Sequence, residues 1–195
     1  MRTLLIILTA LCFTACNNNS STQPDPEEIE ANKTYQIGDL YSRDGVRGLV
    51  FKVDESGKSG LIVSFSESDT LLAWGQELVK TGANYRNDGE LNCSIIRNIE
   101  GWEQKYPAFV WCQSLGGGWY IPAINELIEL CRVSYTIEFA EAIAEYNAEP
   151  LTVGAYYISS TEADKWFVYL AEPSSATESS NYKQYTYRVR AIHSF

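Results

Sequence analysis

The chain has 195 residues, a formal net charge of −10 and an apolar content of 45%. The charge argues against a nucleic-acid ligand, because an acidic protein repels phosphate groups and no cluster of Lys and Arg offsets this repulsion. The length leaves room for one domain with a sizeable core and not for a second of normal size.

The first fifteen residues have the composition of an export signal. Arg2 precedes an apolar run over residues 4–13, and the small residues Thr14 and Ala15 stand directly before Cys16. The run is about ten residues long, whereas a membrane-spanning helix needs about twenty, so it predicts a signal peptide and not a span. Loss of Arg2 with this peptide would change the net charge from −10 to −11.

The residues before Cys16 resemble a lipobox, the site at which bacterial enzymes attach diacylglycerol to a cysteine and cleave in front of it. Phe13 departs from the pattern, which usually has Leu three places upstream. A second interpretation is an ordinary secretory signal in which Cys16 is incidental. The polar stretch after Cys16 favours lipid attachment, because a lipid anchor needs a flexible tether.

These patterns divide the chain into three parts. Residues 1–15 are predicted to be a lipoprotein signal peptide, residues 16–33 a disordered tether with little to bury, and residues 34–195 the folded domain. The predicted location is the cell envelope, with the membrane contacted through lipid on Cys16. Asn17, in place of Asp after the cysteine, predicts onward transport to the outer membrane.

The folded part begins with β-rich sequence. Residues 46–53 and 61–65 are separated by turn-forming residues and predict a β-hairpin. Residues 74–100 show little periodicity and many Gly, Asn and Asp residues, which predicts a long ordered loop region.

Three helices are predicted next, beginning at Pro107, after Pro122 and at Thr136. In the second helix, Asn125, Glu126 and Glu129 are predicted to face away from the core. The predicted core-facing residues are Ala108, Trp111, Cys112 and Leu115 in the first helix, Ile124, Leu127, Ile128 and Cys131 in the second, and Ile137, Ala140, Ile143 and Ala144 in the third.

The remainder is again β-rich. Strands are predicted at 155–160, 165–170 and 185–192, with a Ser- and Thr-rich loop at 173–181. Arg188 and Arg190 alternate with apolar residues in the last strand and are interpreted as its polar face. Strands at both ends with helices between them predict an α+β domain whose terminal strands lie in one sheet.

The reactive side chains of the domain are few. Cys93, Cys112 and Cys131 have spacings of 19 and 19 residues, which match no zinc pattern. Cys112 and Cys131 are predicted either to form a disulfide or to be two buried thiols. His193 is the only histidine of the sequence, and we interpret it as structural.

Several sequence strings resemble one protein group. They are residues 60–64, 73–75, 106–112, 115–127, 156–161, 166–168 and 187–192. The string Gly117-Gly118-Trp119-Tyr120-Ile121-Pro122 with Glu126-Leu127 resembles the Gly-Gly-Trp-x-Leu-Pro-x-x-x-Glu-Leu core of the DUF1566 group, with Ile121 in place of Leu. That group is common among exported proteins of gut Bacteroidetes and is related to the C-terminal domain of a Legionella collagen-like adhesin.

The resemblance covers most of residues 48–195 and implies a C-type lectin-like domain with paired terminal strands, two to three helices and long ordered loops. This fold also hosts calcium-dependent lectins and formylglycine-generating oxidases. Glu172-Pro173-Ser174 lacks the Asn of the lectin calcium string, and the helical cysteines do not suit a copper pair. No catalytic residue, metal or cofactor is therefore expected.

The loop region carries the candidate ligand-binding residues: Trp74, Tyr85, Asp88, Asn92 and Trp102. Flat rings beside amides and carboxylates suit a neutral or cationic glycan or peptide. The alternative is that the rings pack under the sheet and the loop is a structural cover. The sequence thus predicts a non-enzymatic surface binding or adhesion module for a glycan or protein ligand, with a structural accessory lipoprotein as the alternative.

Overall fold

The computed structural model describes residues 32–195, and residues 33–195 form one compact unit. The predicted signal peptide, Cys16 and nearly all of the predicted tether lie outside the described residues. Among the helices of residues 32–195, none combines the length and the apolar character needed to cross a membrane.

The described part of the chain contains nine strands and five helices. The strands are β1 Leu40–Arg43, β2 Val46–Val53, β3 Gly60–Val63, β4 Leu72–Ala73, β5 Tyr157–Glu162, β6 Phe167–Glu172, β7 Thr177–Tyr182, β8 Thr186–Tyr187 and β9 Ile192–Ser194. The helices are α1 Gly89–Arg97, α2 Trp102–Lys105, α3 Pro107–Ser114, α4 Ile124–Val133 and α5 Ile137–Tyr146.

The strands of residues 32–195 form three antiparallel sheets. The largest has the order β1-β2-β3-β9, the second pairs β4 with β8, and the third has the order β5-β6-β7. Pairing of β2 with β3 confirms the predicted hairpin, and pairing of β3 with β9 confirms that the terminal strands share a sheet. The predicted mixed α+β class is confirmed.

The core lies between the sheets and the helices. Helix α4 packs against β2 on one side and against β5 and β6 on the other. Three aromatic rings next to β4 stand edge to face. The centre of the Trp74 ring lies 5.5 Å from that of Tyr106 and 5.2 Å from that of Phe109. Such edge-to-face pairs stabilise beyond the area that they bury.

The loop predicted over residues 74–100 contains α1, and this part of the prediction is wrong. Asp88 caps the helix by accepting a hydrogen bond from the Leu91 amide at 2.8 Å. Its buried side includes Gly89 and Asn92 beside Cys93 and Ile96. Gly and Asn are typical of loops, and their presence on the buried side of this helix explains why the sequence indicated a loop.

Two helices differ from the prediction in their core-facing residues. In α3, Ala108 and Cys112 are buried as predicted, but Phe109 is buried with them, and Leu115 after the helix is 37% exposed. In α5, Ile137 is 73% exposed, and Phe139 and Ala142 face the core instead. In α5 the Phe139 ring lies inward in place of Ile137, because the ring buries more apolar area.

The prediction of a loop over residues 173–181 is also wrong, since β7 occupies most of it. Glu172 holds the turn before β7 by accepting hydrogen bonds from the amides of Ser174 at 3.0 Å and Ser175 at 2.9 Å. All six residues of β7 pair with β6, but nearly all are exposed, so no apolar alternation marks the strand.

The single strand predicted over 185–192 is divided into β8 and β9. The chain between them bonds to other segments: Tyr157 forms a bridge with Arg188, and the Ser68 amide donates to the Val189 carbonyl at 3.1 Å. Arg190, predicted on a polar face, is only 3% exposed. This stretch changes partners because it runs from one sheet to another.

Candidate functional site

Trp74, the first residue of the predicted loop site, belongs to the core. Its exposed fraction is 0%, and the Nζ of Lys183 lies 4.6 Å from the centre of its ring. A ring enclosed in this way cannot stack on an external ligand without local opening. Trp74 is therefore a structural residue in this conformation.

Asn92 and Asp88 hold the loop in place. The Asn92 side chain is fully buried, accepts from the Tyr85 amide at 2.9 Å, and donates to the Tyr85 carbonyl at 2.7 Å and to Ser160 Oγ at 3.1 Å. Asp88 caps α1, as described above. Asn92 has no free polar group for a ligand, and one oxygen of Asp88 is occupied.

The two remaining rings of the predicted site differ in exposure. Tyr85 is 48% exposed. Trp102 is half-buried and packs against the core. The structure thus does not bring the five predicted residues together around one opening.

A buried ion pair fixes the start of the same loop. Lys183 Nζ lies 2.6 Å from Glu162 Oε2 and donates to the Val79 carbonyl at 2.9 Å. Glu162 also accepts from the Thr81 amide at 2.7 Å and from the Gly82 amide at 3.2 Å. Burial alone would raise the pKa of Glu162, but the bonds from Lys183 and Thr81 outweigh it and lower that pKa.

A more open site lies elsewhere, along the segment Ser68–Leu72 that follows β3. One cavity of about 470 Å³ is lined mainly by polar side chains, and we call it the polar cavity. A second of about 380 Å³, the apolar cavity, shares two residues with it, Ser68 and Asp69. Together the two cavities form what we call the cleft.

The walls of the cleft come from five parts of the fold: the segment Glu67–Leu72, Glu103 on α2, one face of α3, residues 149–152 after α5, and Arg188. Helix α3 contributes Pro107, Val110, Trp111 and Ser114, which recur at i, i+3, i+4 and i+7 and so form one helical face. The polar cavity is lined by Glu67, Ser68, Asp69, Glu149, Pro150, Thr152 and Arg188. Flat apolar surface therefore adjoins charged groups, which is the usual composition of a binding site.

Glu67 organises the polar cavity. Its carboxylate accepts hydrogen bonds from Arg188 and from the Tyr157 hydroxyl, and its backbone amide donates to Glu149 Oε2 at 3.0 Å. Burial, together with the bond to Glu67, raises the pKa of Tyr157 to about 12. Both oxygens of Glu67 are thus occupied, so it shapes the wall and is not free for a ligand.

Other polar groups at the cleft have no partner within residues 32–195. Ser68 is 5% exposed, and its Oγ makes no hydrogen bond. Behind the wall, Arg190 donates to the Glu149 carbonyl, but its Nε and Nη1 make none. These three atoms are enclosed by protein, so within residues 32–195 they are exceptions to the rule that buried polar groups are paired.

His193 and the three cysteines of residues 32–195 pack against other side chains of the fold. The His193 ring stands edge to face with Trp119 at 5.4 Å. Cys93, Cys112 and Cys131 are free and buried, so the disulfide alternative for Cys112 and Cys131 is not formed. Burial raises the pKa of Cys93 and of Cys131 to about 12, which disfavours the nucleophilic thiolate.

Sequence reasoning missed the cleft for an identifiable reason. The run Ser66–Thr70 is polar and lies between apolar stretches, which indicates a loop but no particular ligand. The partners of Glu67 lie far away in sequence, at Tyr157 and Arg188. A single sequence does not show such long-range pairs.

Comparison with known proteins supplies a likeness of fold. No family model and no curated protein matches the chain. The crystal structure of a fimbrial protein from Bacteroides ovatus ATCC 8483 superimposes with a TM-score of 0.60 and 16% sequence identity. The match covers 83% of this chain and 49% of that protein, so the chain spans about half the length of the fimbrial protein. At this identity the likeness concerns the fold alone.

Proposed function

We propose that the chain is a non-enzymatic, lipid-anchored module of the cell envelope that binds a glycan or protein ligand at the cell surface. The cleft carries this proposal, because it joins an apolar helical face to charged groups. The likeness to a fimbrial protein is consistent with a surface or adhesive role.

The finer parts of the proposal come from the sequence. The residues before Cys16 support lipid attachment, and Asn17 supports transport to the outer membrane. The strings around Gly117–Leu127 support membership of the DUF1566 group and a C-type lectin-like fold. Tyr85 presents an exposed ring, and we keep it as a proposed secondary contact.

Binding is tested with the full chain carrying Cys16→Ser, so that no lipid takes part. The protein is applied to glycan and peptide arrays, and hits are repeated with Thr70→Arg, which places a large side chain beside the cleft. We expect hits that weaken with Thr70→Arg and not with Glu141→Gln on α5. Arrays without hits, or hits equal in all variants, would refute binding at the cleft.

Anchoring is tested separately in cells. Labelled palmitate should enter the wild-type chain and not Cys16→Ser, and only the wild type should stay with the membrane fraction. Protease added to intact cells should then degrade the wild-type chain if the domain faces outward. Equal labelling of both chains, or complete protection from protease, would contradict the proposed location.

A structural accessory role is the second candidate. The observation in its favour is the fixed loop region, in which Trp74 and Asn92 are enclosed and Glu162 binds the amides of Thr81 and Gly82. Such a domain would cover or space other envelope components and would have no small ligand. It predicts that Thr70→Arg leaves adhesion of whole cells unchanged.

A further inference from the structure

The cleft has an unbalanced negative charge. Within the polar cavity, Glu67 is already paired with Arg188, and the Arg190 Nη1 lies 3.8 Å from Glu149 Oε2. Asp69 is exposed and makes no hydrogen bond or ion pair within residues 32–195. Its carboxylate therefore remains available, in a protein whose net charge is −10.

Asp69 lies where the two cavities meet. Asp69 and Ser68 are lining residues of both cavities. Ser68 is 5% exposed and its Oγ is enclosed, so the exposed Asp69 carboxylate is the charged group that a ligand can reach at this junction. A carboxylate suits a group that donates hydrogen bonds and carries positive charge, such as an ammonium.

The apolar cavity limits what the ammonium is attached to. Beside the junction lie the aliphatic side chains of Leu72, Pro107 and Val110 with the half-buried Trp111 ring. The same cavity is also lined by the polar residues Thr70, Glu103 and Ser114. Its aliphatic part favours a hydrocarbon stem, and its carboxylates Asp69 and Glu103 favour a positively charged end over a neutral sugar. A lysine side chain has such a stem ending in an ammonium.

Resting on the proposed function, we propose that the cleft binds an exposed lysine of a partner protein, with the lysine stem on the α3 face and its ammonium at the Asp69 carboxylate. An anionic group is disfavoured at this position by Asp69 and by the charge of the whole protein. The partner is thus a protein segment with lysine next to apolar residues.

In the test, the peptide acetyl-Leu-Lys-Leu-amide is added to the full chain with Cys16→Ser. Binding is measured by NMR as changes in the chemical shifts of the backbone amides. We expect the amides of residues 68–72 to shift. Asp69→Asn, or acetylation of the lysine amine, should weaken binding by about fivefold, the size of an exposed ion pair. Glu141→Gln removes an equal charge from α5 and should leave the affinity unchanged.

Two outcomes would overturn the inference. In the first, the acetylated peptide binds as well as the free amine, or Asp69→Asn binds as well as the wild type. In the second, a glucosamine trimer shifts residues 68–72 while the peptide does not, so that an amino sugar is the ligand. Either outcome leaves binding at the cleft intact, whereas array hits insensitive to Thr70→Arg refute the proposed function itself.

Discussion

The Glu126 carboxyl couples the stability of the domain to pH. The sequence predicted Glu126 on an outward face, but its Oε2 accepts hydrogen bonds from the amides of Ala123 at 2.7 Å and Gly89 at 3.1 Å. Burial raises its pKa from 4.5 to about 7, against the opposing effect of these bonds. The protonated form is therefore favoured in the folded state.

The sign of the pH dependence follows from this shift. An acid whose folded pKa is raised stabilises the fold fully below its unfolded pKa, and this contribution is lost as the pH rises through the folded pKa. We expect Glu126 to lower the free energy of unfolding by up to about 3 kcal/mol between pH 4.5 and pH 8.

Glu126→Gln keeps an oxygen acceptor but does not ionise. Urea unfolding at several pH values should show a smaller loss of stability toward pH 8 for this variant than for the wild type. Glu141→Gln, an exposed change on α5, should keep the wild-type slope. Parallel curves for all three proteins would show that Glu126 is not the group responsible.

Gly118 illustrates a second constraint at a single residue. Its φ is +83°, and a Cβ there would lie 2.2 Å from His193 Nε2. Gly118→Ala should therefore destabilise the domain by more than about 1 kcal/mol in thermal unfolding. Gly117→Ala is the control, because no atom lies within 4 Å of its added Cβ. An unchanged melting temperature for Gly118→Ala would contradict this expectation.

Among the structural elements, the pair Lys183 and Glu162 joins the chain after β7 to the end of β5, and its hydrogen bonds to Val79 and Thr81 hold the loop after β4. Removal of one partner leaves the other charge buried, because the side chains are 0% and 1% exposed. Lys183→Met should thus cost about 3–5 kcal/mol in the free energy of unfolding. Chemical denaturation measures this value.

The control for this pair is Lys105→Met. Lys105 Nζ lies 3.3 Å from Glu77 Oε1 at the surface, where an ion pair contributes less than about 1 kcal/mol. The double change Lys183→Met with Glu162→Gln should recover part of the loss, since no charge remains unpaired. Equal effects of Lys183→Met and Lys105→Met would show that burial of the pair is unimportant.

Sequence reasoning found the elements that carry clear local signals. These signals are the turn-forming residues between β2 and β3, and Pro or Thr at or just before the start of helices α3 to α5. Helix α1 and strand β7 lack such signals. Gly89 and Asn92, which are typical of loops, lie on the buried side of α1, and β7 is rich in Ser and Thr and nearly all exposed. Tertiary contacts decide both cases.

The binding site was less accessible to sequence reasoning than the fold. The aromatic residues of the loop region led to the prediction that Trp74 contacts a ligand, but the Trp74 ring is fully buried. The cleft depends instead on pairs such as Glu67 with Arg188, which are 121 residues apart. Amino-acid composition identifies aromatic and polar residues, but it does not show which of their side chains are exposed in the folded domain.

At the scale of the whole molecule, stability should not depend on a metal ion. Within residues 32–195, no three His, Cys, Asp or Glu side chains are grouped in a way that could hold one. We expect EDTA to leave the melting temperature unchanged in differential scanning calorimetry, since removing a bound ion would lower it. A decrease of many degrees would reveal a site that involves other residues.

Strand β9 completes the four-stranded sheet with residues that are synthesised long after β3. Ile192 pairs with Val63, and the Phe195 ring packs 5.2 Å from Tyr35 and 4.8 Å from Tyr41. While residues 192–195 are still inside the ribosome, the β2 and β3 hairpin lacks its neighbour, and contacts this distant in sequence form slowly. We therefore expect the nascent chain to remain unfolded long enough to pass through an export channel, as transport to the proposed cell-envelope location requires.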